Sequence, residues 1–338
     1  MSKTNQQWRI AARPQGMIKE SDFNWTEEAV PDLADGQILV RSVYLSLDPT
    51  NRGWMNDTAT YLPPLDIGDV MRGFAIGVVE ASKNERYQEG DMVSGLLGWQ
   101  KYYVGDGRGL TPFAWNRQLP LDAYMGLFGM IGMTAYFGLL EVGEPKEGET
   151  LVVSGAAGAV GSLVGQIGKI KGLRVVGIAG GPEKCRYLTE ELGFDAAIDY
   201  KNESVHKALK EHCPDGVDVY FENVGGEIME AVLNRINLRA RIVLCGLISQ
   251  YNATERPTAP YNLANILTRR ARMEGFIVLD YYKRADEATQ ALGQWYMEGK
   301  LKYRTDIMQG LAEAPTAVNK LFTGDKKGKL IVQVSELP

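Results

Sequence analysis

The chain has 338 residues, a formal net charge of -5, 45% hydrophobic residues and 23% charged residues. This length favours two domains of ordinary globular composition. A positively charged surface would be needed for nucleic-acid binding, and no Lys/Arg run marks a membrane-surface patch, so neither function is expected. The first residues, MSKTNQQWRIAARPQG, contain no signal-peptide segment, and three cysteines do not make a disulfide framework. We therefore expect a cytoplasmic protein.

The first part of the chain has short alternating apolar patterns separated by Gly and Pro, for example in QILVRSVYLSLDP and IGVVEAS. Such spacing predicts short strands in a barrel-like β domain. The C-terminal GKLIVQV predicts a strand that returns to this domain. The aromatic side chains of Trp54, Tyr61, Trp99 and Tyr102 fit either the walls of a ligand pocket or ordinary core, and for each of them core is favoured.

The longest apolar stretch is MGLFGMIGMTAYFGLL, residues 125–140. It is shorter than the roughly 20 residues that a membrane-spanning helix needs, and it contains four glycines. We therefore expect a buried helix preceded by an approach loop.

A glycine-rich loop lies between an apolar run and a predicted helix in TLVVSGAAGAVGSLVGQIGKIKG, residues 150–172. Apolar residues recur every three or four positions from Val160 to Ile170, as in an amphipathic helix. Ala156, Gly158 and Gly161 match the dinucleotide-binding spacing, with Ala in place of the first Gly. Backbone N–H groups at a helix N-terminus bind phosphate, so the loop predicts a nucleotide site. A purely structural turn is the alternative.

Strand-like and helix-like segments alternate after this loop. The strand-like segments are RVVGIAG, AAIDY, VDVYFENVG, RIVLCG and MEGFIVL. The helix-like segments are EKCRYLTEEL, SVHKALKEH, GEIMEAVLNRI and NLANILTRRAR. This alternation predicts an α/β Rossmann domain with a doubly wound parallel sheet.

The second predicted strand ends in IAGGPEKC, without the acid that NAD-selective domains place at the strand end. An acid there would repel the 2′-phosphate of NADPH. Lys184 follows a few residues later, and Tyr200 and Lys201 close the third predicted strand. We therefore predict NADPH as cofactor, with Lys184 on the phosphate. The alternative is that Lys184 is an ordinary solvated lysine.

No metal site is expected. The two histidines, His206 and His212, lie near Cys213 on one predicted helix, but their spacing of six does not place them on one helix face. Neither a Gly-x-Ser-x-Gly motif nor a Walker loop occurs. With so few histidines, any proton transfer must use Tyr, Lys, a carboxylate, a ribose hydroxyl or water.

Eight motifs follow one another along the chain: SLDP, YLPPLDIGDVMRG, GDMVSGLLGWQKY, GMTAYFGLLEVG, SGAAGAVGSLVGQIGKIKG, YFENVGGE, CGLISQYN and GKLIVQV. In this order they resemble the motifs of the zinc-free medium-chain dehydrogenase/reductases, in the branch of leukotriene dehydrogenases, prostaglandin reductases, plant alkenal reductases and bacterial curcumin reductases. The resemblance implies a GroES-like catalytic domain, residues 1–123 and 299–338, and an NADPH-binding Rossmann domain, residues 124–298. It also implies a homodimer and NADPH-dependent, metal-free reduction of the C=C bond of α,β-unsaturated ketones or aldehydes.

The resemblance also implies site residues. Tyr251 is expected to donate a hydrogen bond to the substrate carbonyl. Thr50, Arg52 and Tyr61 are expected to contact the substrate with Tyr251. The expected cofactor residues are Ala156, Ala157, Gly158, Ala159, Val160, Gly161, Lys184, Tyr200, Asn223, Cys245, Gly246, Ile248, Ser249, Phe276, Ile277 and Val278.

The chain departs from the family pattern in two places. It reads DPTNR where the family usually reads DPYMR, so Thr50 and Asn51 replace Tyr and Met. Lys326 stands where relatives often carry a cofactor-contacting Asn. The first departure keeps a second hypothesis open, a zinc-free quinone reductase or a dehydrogenase of an unusual alcohol. A third hypothesis, a non-catalytic NADPH-binding protein, is disfavoured by the intact CGLISQYN.

Overall fold

The computed structural model describes residues 3–338. The strands of this part are β1 (Thr4–Ile10), β2 (Phe23–Ala29), β3 (Ile38–Ser46), β4 (Ala75–Ser82), β5 (Met92–Gly95), β6 (Tyr102–Gly105), β7 (Thr111–Phe113), β8 (Thr150–Ser154), β9 (Arg174–Ala179), β10 (Ala196–Asp199), β11 (Val217–Glu222), β12 (Ile236–Leu244), β13 (Arg272–Gly275), β14 (Thr305–Gln309) and β15 (Lys329–Gln333). The α-helices are α1 (Thr50–Trp54), α2 (Met130–Phe137), α3 (Ala159–Ile170), α4 (Pro182–Arg186), α5 (Val205–His212), α6 (Gly226–Leu233), α7 (Ala264–Arg269), α8 (Ala285–Met297), α9 (Ala314–Ala317) and α10 (Lys320–Thr323).

The chain divides into two compact units. The first contains Met1–Met125, Thr305–Lys326 and Leu330–Pro338, and the second contains Gly126–Arg304 and Lys327–Lys329. The domain boundaries expected from the sequence lie after residues 123 and 298, and the functional division at these positions remains a prediction.

The first unit is built on an antiparallel sheet in the order β14-β15-β3-β4-β5-β7, and β6 also pairs with β3. The strands β1 and β2 form a separate antiparallel pair. The predicted return of the C-terminal strand is confirmed, because Ile331 of β15 lies opposite Ser46 of β3. The apolar core of this unit contains large side chains such as Trp99 and Leu45, and burial of this apolar surface stabilises the barrel-like sheet.

The second unit contains a parallel sheet in the order β10-β9-β8-β11-β12-β13. This is the strand order of a Rossmann domain, so the predicted fold class is confirmed. The helix α3 buries Leu163, Val164 and Ile167, whose spacing predicted it. They pack in one apolar cluster with Leu151 of the neighbouring strand β8.

Two predicted elements of this unit are wrong in extent. The segment MEGFIVL is a strand only in its first three residues, which end β13 at Gly275, because the ring of Phe276 instead packs against those of Phe221 and Tyr281. A 3-10 turn then begins at Val278. The segment NLANILTRRAR is helical only over α7, because Arg270 has a left-handed backbone with a φ of 50°.

The apolar segment 125–140 forms α2 and continues as a π-helical turn over Gly138–Val142. Phe137 and Leu139 are completely buried in the core of the second unit, as expected for a buried helix. In the described part of the chain, no helix is both long enough and apolar enough to cross a membrane.

Candidate functional site

The glycine-rich loop leaves β8 at Ser154 and enters α3 at Ala159. The positive φ of the turn, 58°, falls on Gly155. Ala156 therefore needs no glycine-like backbone, and its N–H donates to the carbonyl of Ile178 at 3.0 Å. This explains why alanine is compatible with the first position of the nucleotide-binding pattern.

Gly161 is required by close packing between the helix and this loop. A Cβ atom at Gly161 would lie 2.5 Å from the carbonyl oxygen of Gly155, which is too close for any side chain. The first turn of the twelve-residue helix α3 is thereby held against the loop. Its unpaired backbone N–H groups and its dipole favour an anion such as a pyrophosphate.

The end of β9 brings together the residues predicted to bind the 2′-phosphate. A Cβ at Gly180 would lie 2.9–3.0 Å from the ring of Tyr200, so the exposed tyrosine packs directly over this glycine. Lys184 is half-buried in α4, which begins two residues after Gly180. The structure thus places Tyr200 and the helix that carries Lys184 at one strand end.

Two acids near this strand end were missed by the sequence analysis. Asp199, the last residue of β10, accepts hydrogen bonds from the backbone N–H of Gly181 at 2.7 Å and that of Lys201 at 3.1 Å. Glu183, next to Lys184, lies 2.6 Å from Nζ of Lys327. Glu183 is visible in the segment IAGGPEKC, but its lysine partner is far along the sequence.

A buried carboxylate organises the end of β11. Glu222 is 0% exposed, and its Oε1 accepts from Oγ of Ser154 at 2.6 Å and from the backbone N–H of Gly225 at 3.0 Å. The N–H of Val224 also donates to Oε1, and the hydroxyl of Tyr220 donates to the other carboxylate oxygen, Oε2. Burial, followed by the charge of Glu222, raises the pKa of the Tyr220 hydroxyl well above its ordinary value.

Asn223, a predicted cofactor residue, is fixed by the end of β8. Its backbone N–H donates to Oγ of Ser154 at 2.8 Å, and its side-chain amide donates to the Ser154 carbonyl at 2.7 Å. The carbonyl of Asn223 accepts from the N–H of Ile248 at 3.1 Å. Asn223 is therefore hydrogen-bonded to the 245–251 segment, which is predicted to line the nicotinamide side.

The 245–251 segment is held by further backbone bonds. The carbonyl of Glu222 accepts from the N–H groups of Cys245 at 2.9 Å and Gly246 at 3.1 Å, and Ser249 Oγ donates to the Val224 carbonyl at 2.6 Å. The Tyr251 hydroxyl accepts from the N–H of Leu247 at 3.3 Å. Tyr251 is thus partly buried at the end of a 3-10 turn with a defined position for its hydroxyl.

Phe276, Ile277 and Val278 are partly buried directly after β13. The Phe276 ring lies 6.4 Å from the ring of Phe221 in an edge-on contact. Phe221 immediately precedes Glu222, so the predicted 276–278 segment packs against the strand that carries the buried carboxylate.

In the first unit, the structure brings two predicted substrate residues into contact. Oγ1 of Thr50 lies 2.7 Å from the hydroxyl of Tyr61, which is 45% exposed. Trp54, Trp99 and Tyr102 are buried, in agreement with the favoured interpretation as core. Only the Tyr61 side chain, among these four aromatic residues, is largely exposed.

Arg52 is placed differently from Thr50 and Tyr61. It is 3% exposed, and its guanidinium donates to the carbonyls of Pro14 and Gly16 at 3.0 and 3.1 Å and to Oδ1 of Asn56 at 2.6 Å. Burial lowers the pKa of this guanidinium. All three guanidinium nitrogens are therefore engaged within the protein.

Comparison with known proteins gives consistent matches along the chain. Residues 6–113 match the family described as the N-terminal domain of oxidoreductase, and residues 159–294 match the family described as zinc-binding dehydrogenase. The NADPH-dependent curcumin reductase of Escherichia coli (strain K12) is 47% identical, with 98% of this chain and 97% of that protein covered. The chain belongs to the zinc-free medium-chain dehydrogenase/reductases.

Two further members of this family support the same assignment. The 2-alkenal reductase (NADP(+)-dependent) of Nicotiana tabacum is 41% identical, with 95% of this chain and 94% of that protein covered. The crystal structure of CurA in complex with NADPH from Vibrio vulnificus has a TM-score of 0.93 and 45% identity, with 98% of this chain and 100% of that chain covered. The protein is thus an oxidoreductase.

The name of the matching zinc-binding family raises the question of metal ligands. Within residues 3–338, no group of three or more His, Cys, Asp or Glu side chains is arranged to hold a metal ion. His206 and His212 lie near the two ends of α5, and His206 is exposed.

Proposed function

We propose that the protein uses NADPH to reduce the C=C bond of α,β-unsaturated ketones or aldehydes. The observation that carries this proposal is the similarity, over nearly the whole chain, to proteins named as curcumin reductase and 2-alkenal reductase. The residues of the second unit fit the cofactor. They offer a loop of only glycine and alanine before α3, and Lys184 and Tyr200 at an adjacent strand end.

We propose the following cofactor contacts. Residues 156–161 receive the pyrophosphate, Lys184 and Tyr200 receive the 2′-phosphate, and Asn223 with segments 245–249 and 276–278 lines the nicotinamide side. NADPH, when bound, supplies the hydride for the β-carbon of the substrate. In functional terms, residues 124–298 form the cofactor domain, and residues 1–123 and 299–338 form the catalytic domain.

Tyr251 is the proposed hydrogen-bond donor to the substrate carbonyl. Negative charge develops on that oxygen as the β-carbon is reduced, so a donor held there stabilises the transition state more than the ground state. The contact from Leu247 N–H uses the Tyr251 oxygen as an acceptor, which restricts where its hydroxyl lies. No metal is required, because the conjugated carbonyl already makes the β-carbon electrophilic.

The proposed substrate residues of the first unit are Thr50 and Tyr61, whose hydroxyls contact each other. For Arg52 we propose a positioning role, because its guanidinium is engaged by Pro14, Gly16 and Asn56. It holds α1, the helix on which Thr50 lies.

We also propose that the protein is a cytoplasmic homodimer. The strand β13 is the edge of the parallel sheet, and its Arg272, Glu274 and Gly275 are exposed. An open strand edge offers unpaired backbone groups to a second chain. Leu267, on the preceding helix α7, is also exposed. Sedimentation at working concentration should give twice the chain mass, and a monomer would contradict the dimer.

The alternative function is a zinc-free quinone reductase or a dehydrogenase of an unusual alcohol. The DPTNR sequence around Thr50 is the feature that favours it. Initial rates of NADPH oxidation with a straight-chain enone, a quinone and a saturated ketone, each repeated with NADH, distinguish these functions. We expect turnover of the enone with strong NADPH preference. Quinone turnover alone, or equal use of NADH, would contradict the proposal.

A further inference from the structure

Two acids beside the proposed 2′-phosphate site, Asp199 and Glu183, have different kinds of partner. Asp199 is held by backbone donors from Gly181 and Lys201, and the amide of Asn202 donates to its other oxygen at 2.7 Å. Although burial acts in the opposite direction, these hydrogen bonds lower the pKa of the Asp199 carboxyl. Its oxygens are thus committed to local backbone and side-chain donors.

Glu183 has a different partner. Its Oε1 lies 2.6 Å from Nζ of Lys327, and the two side chains are 66% and 61% exposed. The hydrogen bond and charge of Lys327 lower the pKa of the Glu183 carboxyl, so this acid is ionised at neutral pH. Because Glu183 is the immediate neighbour of Lys184, its charge is felt where the phosphate is proposed to bind.

The backbone that carries Lys327 is anchored on both sides. Gly328 forms a parallel bridge with Gly158 of the glycine-rich loop, and the N–H of Lys329 donates to the carbonyl of Arg304 at 2.8 Å. A Cβ at Gly328 would lie 2.0 Å from that same carbonyl oxygen, so only glycine fits at this position. Lys327 is therefore presented beside the glycine-rich loop by a fixed segment.

We propose that Lys327 strengthens the preference for NADPH by cancelling the charge of Glu183. This inference rests on the proposed function. With Lys327 present, the side chains of Glu183, Lys184 and Lys327 together carry one positive charge, and without it they carry none. A phosphate monoester carries between one and two negative charges at neutral pH. Loss of the positive charge of Lys327 therefore weakens the binding of NADPH, which has the 2′-phosphate, and not that of NADH, which lacks it.

The nearby Arg304 does not replace Lys327. Its guanidinium lies over the ring of Tyr187 at 4.1 Å and pairs with Glu191 at 3.3 Å. It is thus already directed toward an acid of the neighbouring turn. The charges of Arg186 and Arg304 also lower the pKa of the Glu183 carboxyl, but the largest effect comes from Lys327, which forms the ion pair with it.

The test is a double-mutant cycle on binding, which does not depend on turnover. Dissociation constants for NADPH and NADH are measured by calorimetry for the wild type, Lys327→Ala, Glu183→Gln and the double variant. We expect Lys327→Ala to weaken NADPH binding by roughly threefold to tenfold and to leave NADH binding unchanged, with a smaller effect at high salt. Adding Glu183→Gln should restore most of the loss.

A matched control is Lys300→Ala, which removes another exposed lysine whose Nζ pairs with Glu298 at 2.8 Å. It should leave both dissociation constants unchanged. Unchanged NADPH binding in Lys327→Ala, in a wild type that prefers NADPH, would overturn this inference alone. Equal weakening of NADPH binding and NADH binding in Lys327→Ala would also overturn this inference, since the lysine would then support the folded structure and not the 2′-phosphate site. A wild type that does not bind NADPH would overturn the proposed function as well.

Discussion

The hydroxyl of Thr50 lies 2.7 Å from the hydroxyl of Tyr61, so one residue that departs from the family pattern is hydrogen-bonded to another predicted substrate residue. We predict that Thr50→Val, which removes only this hydroxyl, raises KM for an enone about twofold to tenfold, the effect of one hydrogen bond. The NADPH dissociation constant should not change. Steady-state kinetics and a binding titration check this.

The same pair allows a test of coupling. If the two hydroxyls act as a unit, Tyr61→Phe and the double variant should resemble Thr50→Val rather than add to it. Thr60→Val, at an exposed position next to Tyr61, is the control and should behave as wild type. Unaltered KM in Thr50→Val would show that the pair does not face the substrate.

Tyr251→Phe should lower kcat about 100-fold to 1,000-fold, the effect of removing one donor to a developing oxyanion. NADPH binding should be retained, because only the hydroxyl is lost. Tyr261→Phe is the matched control, since the Tyr261 hydroxyl is exposed and accepts from Asn234 at 3.2 Å. Full enone turnover by Tyr251→Phe would refute the donor role.

Lys184→Ala should raise the NADPH dissociation constant roughly 10-fold to 100-fold, because a charged hydrogen bond to the phosphate is lost. NADH lacks that phosphate, so its binding should be unaffected. Lys207→Ala, on the exposed face of α5, is the control. Equal NADPH affinity in wild type and Lys184→Ala would place the 2′-phosphate elsewhere.

Glu222→Ala should lower the free energy of unfolding by about 3 kcal/mol or more. The variant leaves buried donors on Ser154, Tyr220 and Gly225 without their acceptor, and each such group costs about 1–3 kcal/mol. Urea unfolding followed by circular dichroism measures the change. The exposed-site control Glu211→Ala should shift it by less than about 0.5 kcal/mol. A similarly small shift for Glu222→Ala would contradict the organising role of the carboxylate.

The three cysteines should react slowly with iodoacetamide at pH 7.5. Burial raises the pKa of Cys185 and Cys213 to about 11 and that of Cys245 to about 12. A raised pKa keeps a thiol protonated at neutral pH, and fewer than about one in a thousand are then the reactive thiolate. Mass spectrometry should show slow labelling that accelerates as the pH rises. Rapid labelling of the folded protein at pH 7.5 would contradict the raised pKa of these thiols.

The Rossmann domain was predictable because its signals are local. The apolar spacing within α3 and the glycines between β8 and α3 lie within one continuous segment. The edge strand β13 was predicted too long because the apolar residues after it, such as Phe276, satisfy their burial by packing on Phe221 instead of by pairing in the sheet. An apolar run alone does not distinguish these two outcomes.

The relationships that the sequence analysis missed are between residues distant along the chain. The contact between Glu183 and Lys327 depends on where the C-terminal segment runs, as shown by the bridge between Gly158 and Gly328. The burial of Arg52 was likewise not predictable, because its guanidinium donates to the carbonyls of Pro14 and Gly16. Every residue has a backbone carbonyl, so the sequence does not indicate which carbonyls accept a hydrogen bond from a distant side chain.

In the proposed reaction, hydride reaches the β-carbon of a conjugated carbonyl compound. This step is tested most directly with NADPH deuterated at the transferable position of nicotinamide C4 and a straight-chain enone, followed by mass spectrometry and NMR of the product. We predict a saturated ketone with one deuterium on the former β-carbon. An alcohol with deuterium on the former carbonyl carbon would contradict this prediction. A reduced product that contains no deuterium would also contradict it.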